Sequence, residues 1–243
     1  MNESSHAPKV YQLDEDANAG IEAAAEAVGA GQCVVVPTDT VYGIGADAFS
    51  GDAVTALLAA KQRDESMPPP VLVAEPSMLR ALAAEVPEAA AALAKAHWPG
   101  ALTLIVKAQR TLKLELGETG GTVAVRVPDH DRLRQLLRRT GPLAVSSANI
   151  SGQPAAETCE AAKEMLKDTV AVYLDGGPTA GLKPSTIVDF TRSAAGRVVR
   201  QGALSLPELR ASAPKLVLAP IATKDEEPAA LPEAPTANEE SPE

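Results

Sequence analysis

The chain has 243 residues, of which 45% are hydrophobic, and its formal net charge is −10 at pH 7. That length and apolar fraction favour one well-buried domain and are short for two. The net acidity and the small number of aromatic residues (two Phe, one Trp, three Tyr) argue against a surface that stacks bases or neutralises many phosphates, but they allow a small anionic ligand held by a few local cations.

The sequence also disfavours secreted, membrane-spanning and metal-binding proteins. No segment approaches the roughly 20 apolar residues of a membrane-spanning helix, and Glu22 and Glu26 interrupt the first Ala-rich run, where a secretory leader would be apolar. Cys33 and Cys159 are the only cysteines and lack metal-ligand spacing. We therefore expect a cytoplasmic protein without a disulfide, a protein-held metal or a membrane segment.

The two ends of the chain differ in composition from its middle. Residues 1–10 are largely polar, and residues 214–243 form an Ala/Pro/Glu-rich run with seven acidic residues and two lysines. We assign both ends no fold, and we predict one folded domain over residues 11–213.

Within that domain, apolar β-branched runs alternate with Ala- and Leu-rich runs of helical pattern, which predicts an α/β fold. The predicted strands are Cys33–Pro37, Pro70–Ala74, Leu102–Lys107, Thr122–Val127, Leu143–Ser147, Ala171–Leu174, Thr186–Phe190 and Arg197–Gln201. The predicted helices are Asn18–Ala30, Asp52–Lys61, Ser77–Ala84, Glu88–His97, Asp131–Arg139 and Glu157–Lys167. Several strands follow one another without a helix long enough for a parallel crossover, so we predict a twisted mixed β-sheet flanked by helices.

The first candidate binding segment is Pro37–Ala46, which reads PTDTVYGIGA and is predicted as a loop between a strand and a helix. Threonine oxygens and free backbone N–H groups in such a loop can contact a polar ligand, and Gly43 and Gly45 permit close approach. Taken alone, the segment favours a plain turn before a capped helix. It contains neither a complete Rossmann fingerprint nor a Walker A lysine.

The second candidate is the pair Lys61 and Arg63 at the end of a predicted helix. A lysine point charge and an arginine fork can together clamp a triphosphate. The alternative is that both residues only complement the negative end of the helix macrodipole. If they bind a ligand, we expect both at the solvent-facing mouth of a site.

The third candidate is Ser147-Ala148-Asn149, which follows an apolar strand in the run LAVSSANISGQP. In extended geometry Ser147 and Asn149 share a face, and we expect the backbone N–H groups beyond them to open towards a phosphate. The alternative is a Ser/Asn-rich loop whose side chains satisfy their own backbone. The residues by themselves do not separate these two interpretations.

Arg126 is the fourth candidate, because it ends a strand of alternating Val and Ala. A buried arginine in such a strand needs an acidic partner, a carboxylate ligand or an exit to solvent. Structural pairing with an acid is the favoured interpretation for a lone arginine.

Taken in order, these segments resemble the YrdC family, and within it the threonylcarbamoyl-adenylate synthases. The resemblance rests on Pro37–Ala46, Lys61–Arg63, Trp98–Thr103, Thr122–Pro128 and Ser147–Gly152. It extends from about Gly20 to Gly202, and we expect the short form, without a C-terminal accessory domain.

The resemblance implies a YrdC-like fold, a single catalytic domain over residues 11–213, and roles for ten residues. It implies a threonine site of Thr40, Arg126, Val145 and Ser185. It implies an ATP site of Lys61, Arg63, Thr122, Ser147, Asn149 and Arg200, with Lys61, Arg63, Ser147 and Asn149 as the catalytic set. After Arg63 many members continue towards Asn-Pro-Leu and a histidine, whereas this chain reads MPPPVL from Met67 to Leu72, so the contacts expected near Met67 and Leu72 stay open or fall to the backbone.

The implied reaction joins L-threonine, bicarbonate-derived CO₂ and ATP into L-threonylcarbamoyladenylate and releases pyrophosphate, for threonylcarbamoylation of the adenosine next to the anticodon in tRNA. Mg²⁺ is expected to accompany ATP, and the tRNA threonylcarbamoyltransferase machinery is expected to accept the product. tRNA itself is a further candidate partner. We also expect the loop from Asp64 to Pro70 to cover the site.

Two other functions stay open at this point. One is a non-catalytic RNA-binding module of YrdC-like fold, which the acidic balance disfavours. The other is a relative that activates a different substrate, such as carbamoyl phosphate in metal-centre maturation. That second role usually comes with cysteine-rich zinc segments, which this sequence lacks.

Overall fold

A mixed sheet of eleven strands organises the computed structural model, which describes residues 7–64, 67–179 and 183–219. The strands are β1 (Lys9–Gln12), β2 (Val34–Val36), β3 (Gly43–Asp47), β4 (Val71–Leu72), β5 (Leu102–Lys107), β6 (Thr122–Arg126), β7 (Leu143–Ser147), β8 (Val172–Asp175), β9 (Thr186–Asp189), β10 (Arg197–Arg200) and β11 (Val217–Leu218). The helices are α1 (Ala17–Gly29), α2 (Gly51–Ala60), α3 (Met78–Leu82), α4 (Glu88–His97), α5 (Asp131–Thr140), α6 (Cys159–Leu166) and α7 (Leu206–Ser212), and a 3₁₀ turn spans Lys167–Thr169.

Neighbouring strands in this sheet are often far apart in the sequence. The order across the sheet is β1-β8-β2-β3-β7-β4-β6-β5-β9-β10-β11. The β1–β8, β2–β8, β4–β6, β5–β9 and β10–β11 pairs are parallel, and the other five pairs are antiparallel. The sheet is therefore mixed and flanked by helices, as predicted.

No helix within the described ranges is long and apolar enough to cross a membrane.

The helices begin where the sequence offers capping side chains. Ser50 accepts a hydrogen bond from the backbone N–H of Ala53 at the start of α2, and Thr158 caps α6 in the same way. Ser205 and Glu208 form a reciprocal capping box at the start of α7. These local contacts explain why α2 and α6 lie close to their predicted positions.

The sheet separates two apolar cores, because side chains alternate between its faces. Val34 and Val36 pack on one face with α1 and the leucines of α5, whereas Val35 packs on the other face with α2, α4 and α6. Each core buries mostly Leu, Val and Ala side chains, which contribute the apolar burial that stabilises the domain.

All eight predicted strands and six predicted helices overlap an observed element. Strands β1, β3 and β11 and helix α7 were not predicted. The prediction that Pro37–Ala46 is wholly a loop is wrong, because Gly43–Asp47 forms β3 between β2 and β7. Glycine has low strand propensity, so this strand carries little signal in the sequence.

The predicted limits of the unfolded ends need correction where the structure describes them. β1 begins at Lys9, inside the predicted unstructured residues 1–10, and β11 lies inside 214–243. Both are short, largely exposed edge strands. β1 pairs with β8, which is distant in sequence, and β11 pairs with β10, from which α7 separates it. Their own composition does not indicate that pairing. Residues 1–6 and 220–243 lie outside the described ranges.

Gly43 is required for the close approach of β3 to β7. A Cβ at Gly43 would lie 2.6 Å from Val145 Cγ1, whereas a Cβ at Gly29 near the end of α1 would meet nothing within 4 Å. We expect Gly43→Ala to lower the free energy of unfolding by about 1–3 kcal/mol through overpacking. Gly29→Ala is the matched control and should be neutral or slightly stabilising. Urea unfolding of both variants checks this, and equal stabilities for the two would contradict the proposed close approach.

Candidate active site

A pocket of about 750 Å³ is lined by residues of β3, β4, β5, β6, β7, β9 and β10 and by adjoining loops. Its described lining includes three arginines, Arg63, Arg126 and Arg200, and one carboxylate, that of Glu157. The pocket is therefore cationic in a chain whose net charge is −10. Such a concave cationic surface concentrates small anions.

Arg126 is buried at the end of β6 and is held on three sides. Its Nη2 donates to Asp39 Oδ1 at 2.6 Å, its Nη1 to Thr40 Oγ1 at 3.0 Å, and its Nε to the Gly100 carbonyl oxygen at 3.0 Å. A guanidinium has five N–H groups, and the remaining two have no partner among the described residues. Burial lowers the pKa of Arg126, and the charge of Asp39 acts in the opposite direction.

Thr38 fixes the hydroxyl of Thr40 beside this arginine. Thr38 Oγ1 donates to the Val41 carbonyl oxygen at 2.7 Å and accepts from the backbone N–H of Thr40 at 3.0 Å. The two threonine hydroxyl oxygens are 2.9 Å apart. Because the Thr38 proton goes to Val41, the Thr40 hydroxyl donates to Thr38 and accepts from Arg126.

Arg200 reaches the pocket from β10 and is held by Ser185. Its Nε and Nη2 donate to the Ser185 carbonyl oxygen at 3.2 and 2.9 Å, and Nη2 also donates to Ser185 Oγ at 3.1 Å. Thr103 Oγ1 on β5 lies 2.8 Å from the same hydroxyl. Burial lowers the pKa of Arg200, and the nearby charges of Arg126 and Arg63 lower it further.

Arg63 lines the pocket just beyond α2. Its Nη1 donates to Ser146 Oγ at 3.1 Å, which is its one side-chain hydrogen bond within the described residues. With respect to the described residues, most of its donors are therefore left for an anion, and burial lowers its pKa.

Lys61 does not stand at the solvent-facing mouth of the site, so that prediction is wrong for this residue. Its side chain is 2% exposed, does not line the pocket, and donates to the carbonyl oxygens of Ser147 and Asn149 and to Asn149 Oδ1. An ammonium has three N–H groups, and all three are used. Burial and then the charge of Arg63 lower the pKa of Lys61 to about 8.

The Ser147–Asn149 segment combines both interpretations that the sequence left open. Ser147 and Asn149 line the pocket, but Ser147 Oγ donates to Asn149 Oδ1, and Asn149 Nδ2 donates to the Gln153 carbonyl oxygen at 2.6 Å. The expectation that the backbone N–H groups beyond Asn149 open towards a phosphate is wrong for Ser151 and Gln153, because both donate to protein carbonyl oxygens.

Nine of the ten residues that the resemblance implied line this one pocket, and Lys61 is the exception. Val145 lines it, although its backbone N–H donates to the Pro70 carbonyl oxygen at 2.9 Å. Thr122 also lines the pocket, and its hydroxyl donates to the Thr119 carbonyl oxygen. Met67 and Leu72 also line the pocket.

Sequence reasoning missed several residues that shape the site. Thr38 and Asp39 lay in the first candidate segment, and Ser146 lay next to Ser147, so a pattern was present but assigned no role. Thr103 lay in the Trp98–Thr103 segment of the resemblance but was assigned no role, and Glu157 carried no distinguishing signal. They belong to the site because the sheet brings β5 and the chain after Asn149 to the same pocket.

The fold and the pocket together define an α/β protein with a cationic pocket, suited to small anionic molecules, beside a mixed sheet. Residues 26–202 match the family model described as telomere recombination, Sua5/YciO/YrdC. The chain therefore belongs to the Sua5/YciO/YrdC family.

Two relatives show how much of the chain is shared. A provisionally named threonylcarbamoyl-AMP synthase of Mycobacterium tuberculosis is 50% identical over 191 residues, which are 79% of this chain and 88% of that protein. The threonylcarbamoyl-AMP synthase of Pyrococcus abyssi is 37% identical over 192 residues, 78% of this chain and 56% of that longer protein.

Solved structures confirm the predicted YrdC-like fold. P. abyssi Sua5 complexed with L-threonine has a TM-score of 0.80 at 33% identity, with 88% of this chain and 63% of that chain covered. Escherichia coli YciO has a TM-score of 0.74 at 25% identity and covers 83% of this chain and 99% of its own.

The depressed pKa of Lys61 predicts how stability depends on pH. Folding disfavours the charged form of Lys61. The free energy of unfolding therefore increases as the pH rises from about 8, the pKa of Lys61 in the folded protein, towards 10.5, its ordinary pKa. We expect the stability of the wild-type protein relative to Lys61→Met to rise by about 1 kcal/mol between pH 7 and 9. Urea unfolding at these pH values measures it. Parallel stability curves for the two proteins would show that the pKa is not lowered.

Proposed function

We propose that this pocket joins L-threonine, bicarbonate-derived CO₂ and ATP into L-threonylcarbamoyladenylate. The chain is a threonylcarbamoyl-AMP synthase, a nucleotidyltransferase that serves threonylcarbamoylation of tRNA, in line with the relatives that cover most of its length. One observation carries the assignment of the reaction to this pocket: three arginines converge there, and each is oriented by a hydroxyl group of the pocket wall.

The threonine end of the pocket is proposed around Arg126. Two of its N–H groups have no partner among the described residues and suit a carboxylate, and Thr40, Val145 and Ser185, which line the same pocket, are proposed as further threonine contacts. The P. abyssi relative was solved with L-threonine, which supports a threonine site within this fold.

The phosphate end is proposed around Arg63 and Arg200, with Ser147, Asn149 and Thr122 as polar contacts. Arg63 uses one donor on a side chain among the described residues, the hydroxyl of Ser146, which lies next to the Ser147–Asn149 segment. Lys61 supports this end without lining the pocket. Its ammonium holds the Ser147–Asn149 segment by three hydrogen bonds.

The reaction follows from these placements. The unprotonated threonine amine attacks CO₂ and forms a carbamate, and a carbamate oxygen then attacks the α-phosphorus of ATP. The new P–O bond replaces the bond to pyrophosphate, which leaves. The protein contributes alignment and positive charge for the phosphates and needs no covalent nucleophile.

Mg²⁺ is proposed to enter as part of the ATP substrate. The described residues contain no group of three or more His, Cys, Asp or Glu side chains placed to hold a metal. We propose that the nucleotide phosphates supply ligands to the Mg²⁺ ion.

The chain after Arg63 is proposed to shield the labile carbamate from water. Met67, Pro68, Pro69 and Pro70 all line the pocket, and three consecutive prolines make this wall stiff. The predicted covering loop from Asp64 to Pro70 also includes residues 65 and 66, which lie outside the described ranges.

The product acceptor is proposed to be the tRNA threonylcarbamoyltransferase machinery, with tRNA itself as a further partner, and the site of action is proposed to be the cytoplasm. These assignments rest on the reaction, because an adenylate that modifies tRNA is used where tRNA and ATP are both present.

Pyrophosphate release tests the function directly. The purified chain is incubated with ATP, Mg²⁺ and bicarbonate, with L-threonine, with L-serine or without an amino acid. We expect release that requires bicarbonate and L-threonine. A folded protein that releases none, and that binds RNA with a steep dependence on salt and no response to threonine, would be the RNA-binding module instead.

Arg63→Ala tests the phosphate end of the pocket. Removing this guanidinium should lower threonine-dependent turnover about 10²–10³-fold, as loss of a charge-stabilising donor does, and should leave the melting temperature close to that of the wild type. Arg132→Ala, at an exposed arginine of α5 outside the pocket, is the control and should keep full activity. An unfolded Arg63→Ala protein would mean that Arg63 serves the fold.

A further inference from the structure

Asp39 occupies a distinctive place beside the pocket. It pairs with Arg126 at 2.6 Å, and the same oxygen, Oδ1, accepts the backbone N–H of Asp129 at 3.1 Å. Thr38 and Thr40 on either side of it line the pocket, but Asp39 does not. The carboxylate therefore reaches Arg126 from outside the pocket and leaves its ligand-facing side open.

The three arginines of the pocket differ in whether a carboxylate lies beside them. Within the described residues, neither Arg63 nor Arg200 has a carboxylate within ion-pair distance, whereas Arg126 has Asp39. Among the described residues, the charges of Arg63 and Arg200 are thus not offset by a carboxylate, whereas the charge of Arg126 is largely offset by Asp39.

From this asymmetry we propose that Asp39 determines which anion binds at each end of the pocket. It does so by restricting Arg126 to a singly charged carboxylate and by excluding phosphate groups from that position. The proposal rests on the proposed function, because it concerns threonine and the ATP phosphates.

The physical reason is that repulsion from Asp39 grows with the charge of the ligand bound on the other side of Arg126. A carboxylate with one negative charge is tolerated because its hydrogen bonds to the guanidinium are charge-assisted. A phosphate or pyrophosphate group carries more charge, is repelled more strongly, and binds better at Arg63 and Arg200. Specificity here comes from a repulsive element as well as an attractive one.

Asp39→Asn removes the charge with little change in shape. Asn Oδ1 can keep the hydrogen bonds from Arg126 and Asp129, and Asp39 Oδ2, which the amide nitrogen would replace, has no hydrogen bond within the described residues. Asp189→Asn is the matched control. Asp189 forms a comparable ion pair with Arg197 at 3.2 Å and does not line the pocket.

The experiment is equilibrium binding of L-threonine and of inorganic pyrophosphate, measured by calorimetry without turnover. In the wild-type protein and in Asp189→Asn, saturating pyrophosphate should change the threonine Kd less than twofold. In Asp39→Asn, pyrophosphate should bind at least tenfold more tightly than in the wild type and should raise the apparent threonine Kd at least tenfold. A residue that serves only the fold would not create this competition.

Two outcomes would overturn the proposal: unchanged pyrophosphate affinity in Asp39→Asn, or weakened threonine binding in that variant without competition by pyrophosphate. If Asp39→Asn does not fold, Asp39→Ser provides the same neutral test. A wild-type protein that binds no threonine would instead contradict the proposed function, and in that case the pyrophosphate affinities of wild type and variant alone decide on the role of Asp39.

Discussion

The active site depends on holding like charges close together. Three guanidinium groups share one pocket, and within the part of the chain that the structure describes Arg63 and Arg200 donate to hydroxyl and carbonyl oxygens and not to carboxylates. Neutral acceptors orient a guanidinium without cancelling its charge, so the pocket keeps its attraction for anions. The lowered pKa of Arg200 reflects burial and then its two cationic neighbours. Anionic substrates would relieve this repulsion, which is a physical reason for such a site to bind a carboxylate and a polyphosphate together.

A second buried charge, that of Lys61, supports one wall of this pocket. Lys61 at the C-terminal end of α2 donates all three of its N–H groups to Ser147, the last residue of β7, and to Asn149. The desolvation of the ammonium is unfavourable and lowers its pKa, but its three hydrogen bonds hold the backbone of Ser147 and Asn149 and the Asn149 side chain in place beside the pocket. Supporting a binding segment from behind in this way is how a protein keeps ligand-contacting groups in place before the ligand arrives.

The sheet makes this convergence possible. Thr40 precedes β3, Arg126 ends β6, and Ser185 precedes β9, yet the strand order brings these three positions to one pocket. The approach of β3 to β7 requires glycine at position 43, since a Cβ there would lie 2.6 Å from Val145. The same glycine that permits this packing weakens the strand signal, which explains why β3 could not be predicted from its composition.

The sequence by itself determined the alternation of helices and strands, the mixed sheet and the residue types of the site, because periodicity, capping residues and ordered motifs are local properties. It did not determine that Lys61 points into the protein while Arg63 lines the pocket, although the two are one residue apart, or that Asp39 meets Arg126. It also gave no sign that β1 and β11 pair at the sheet edges. Only the tertiary structure decided these points, since burial, ion pairing and strand pairing depend on partners that the chain brings together only when it folds.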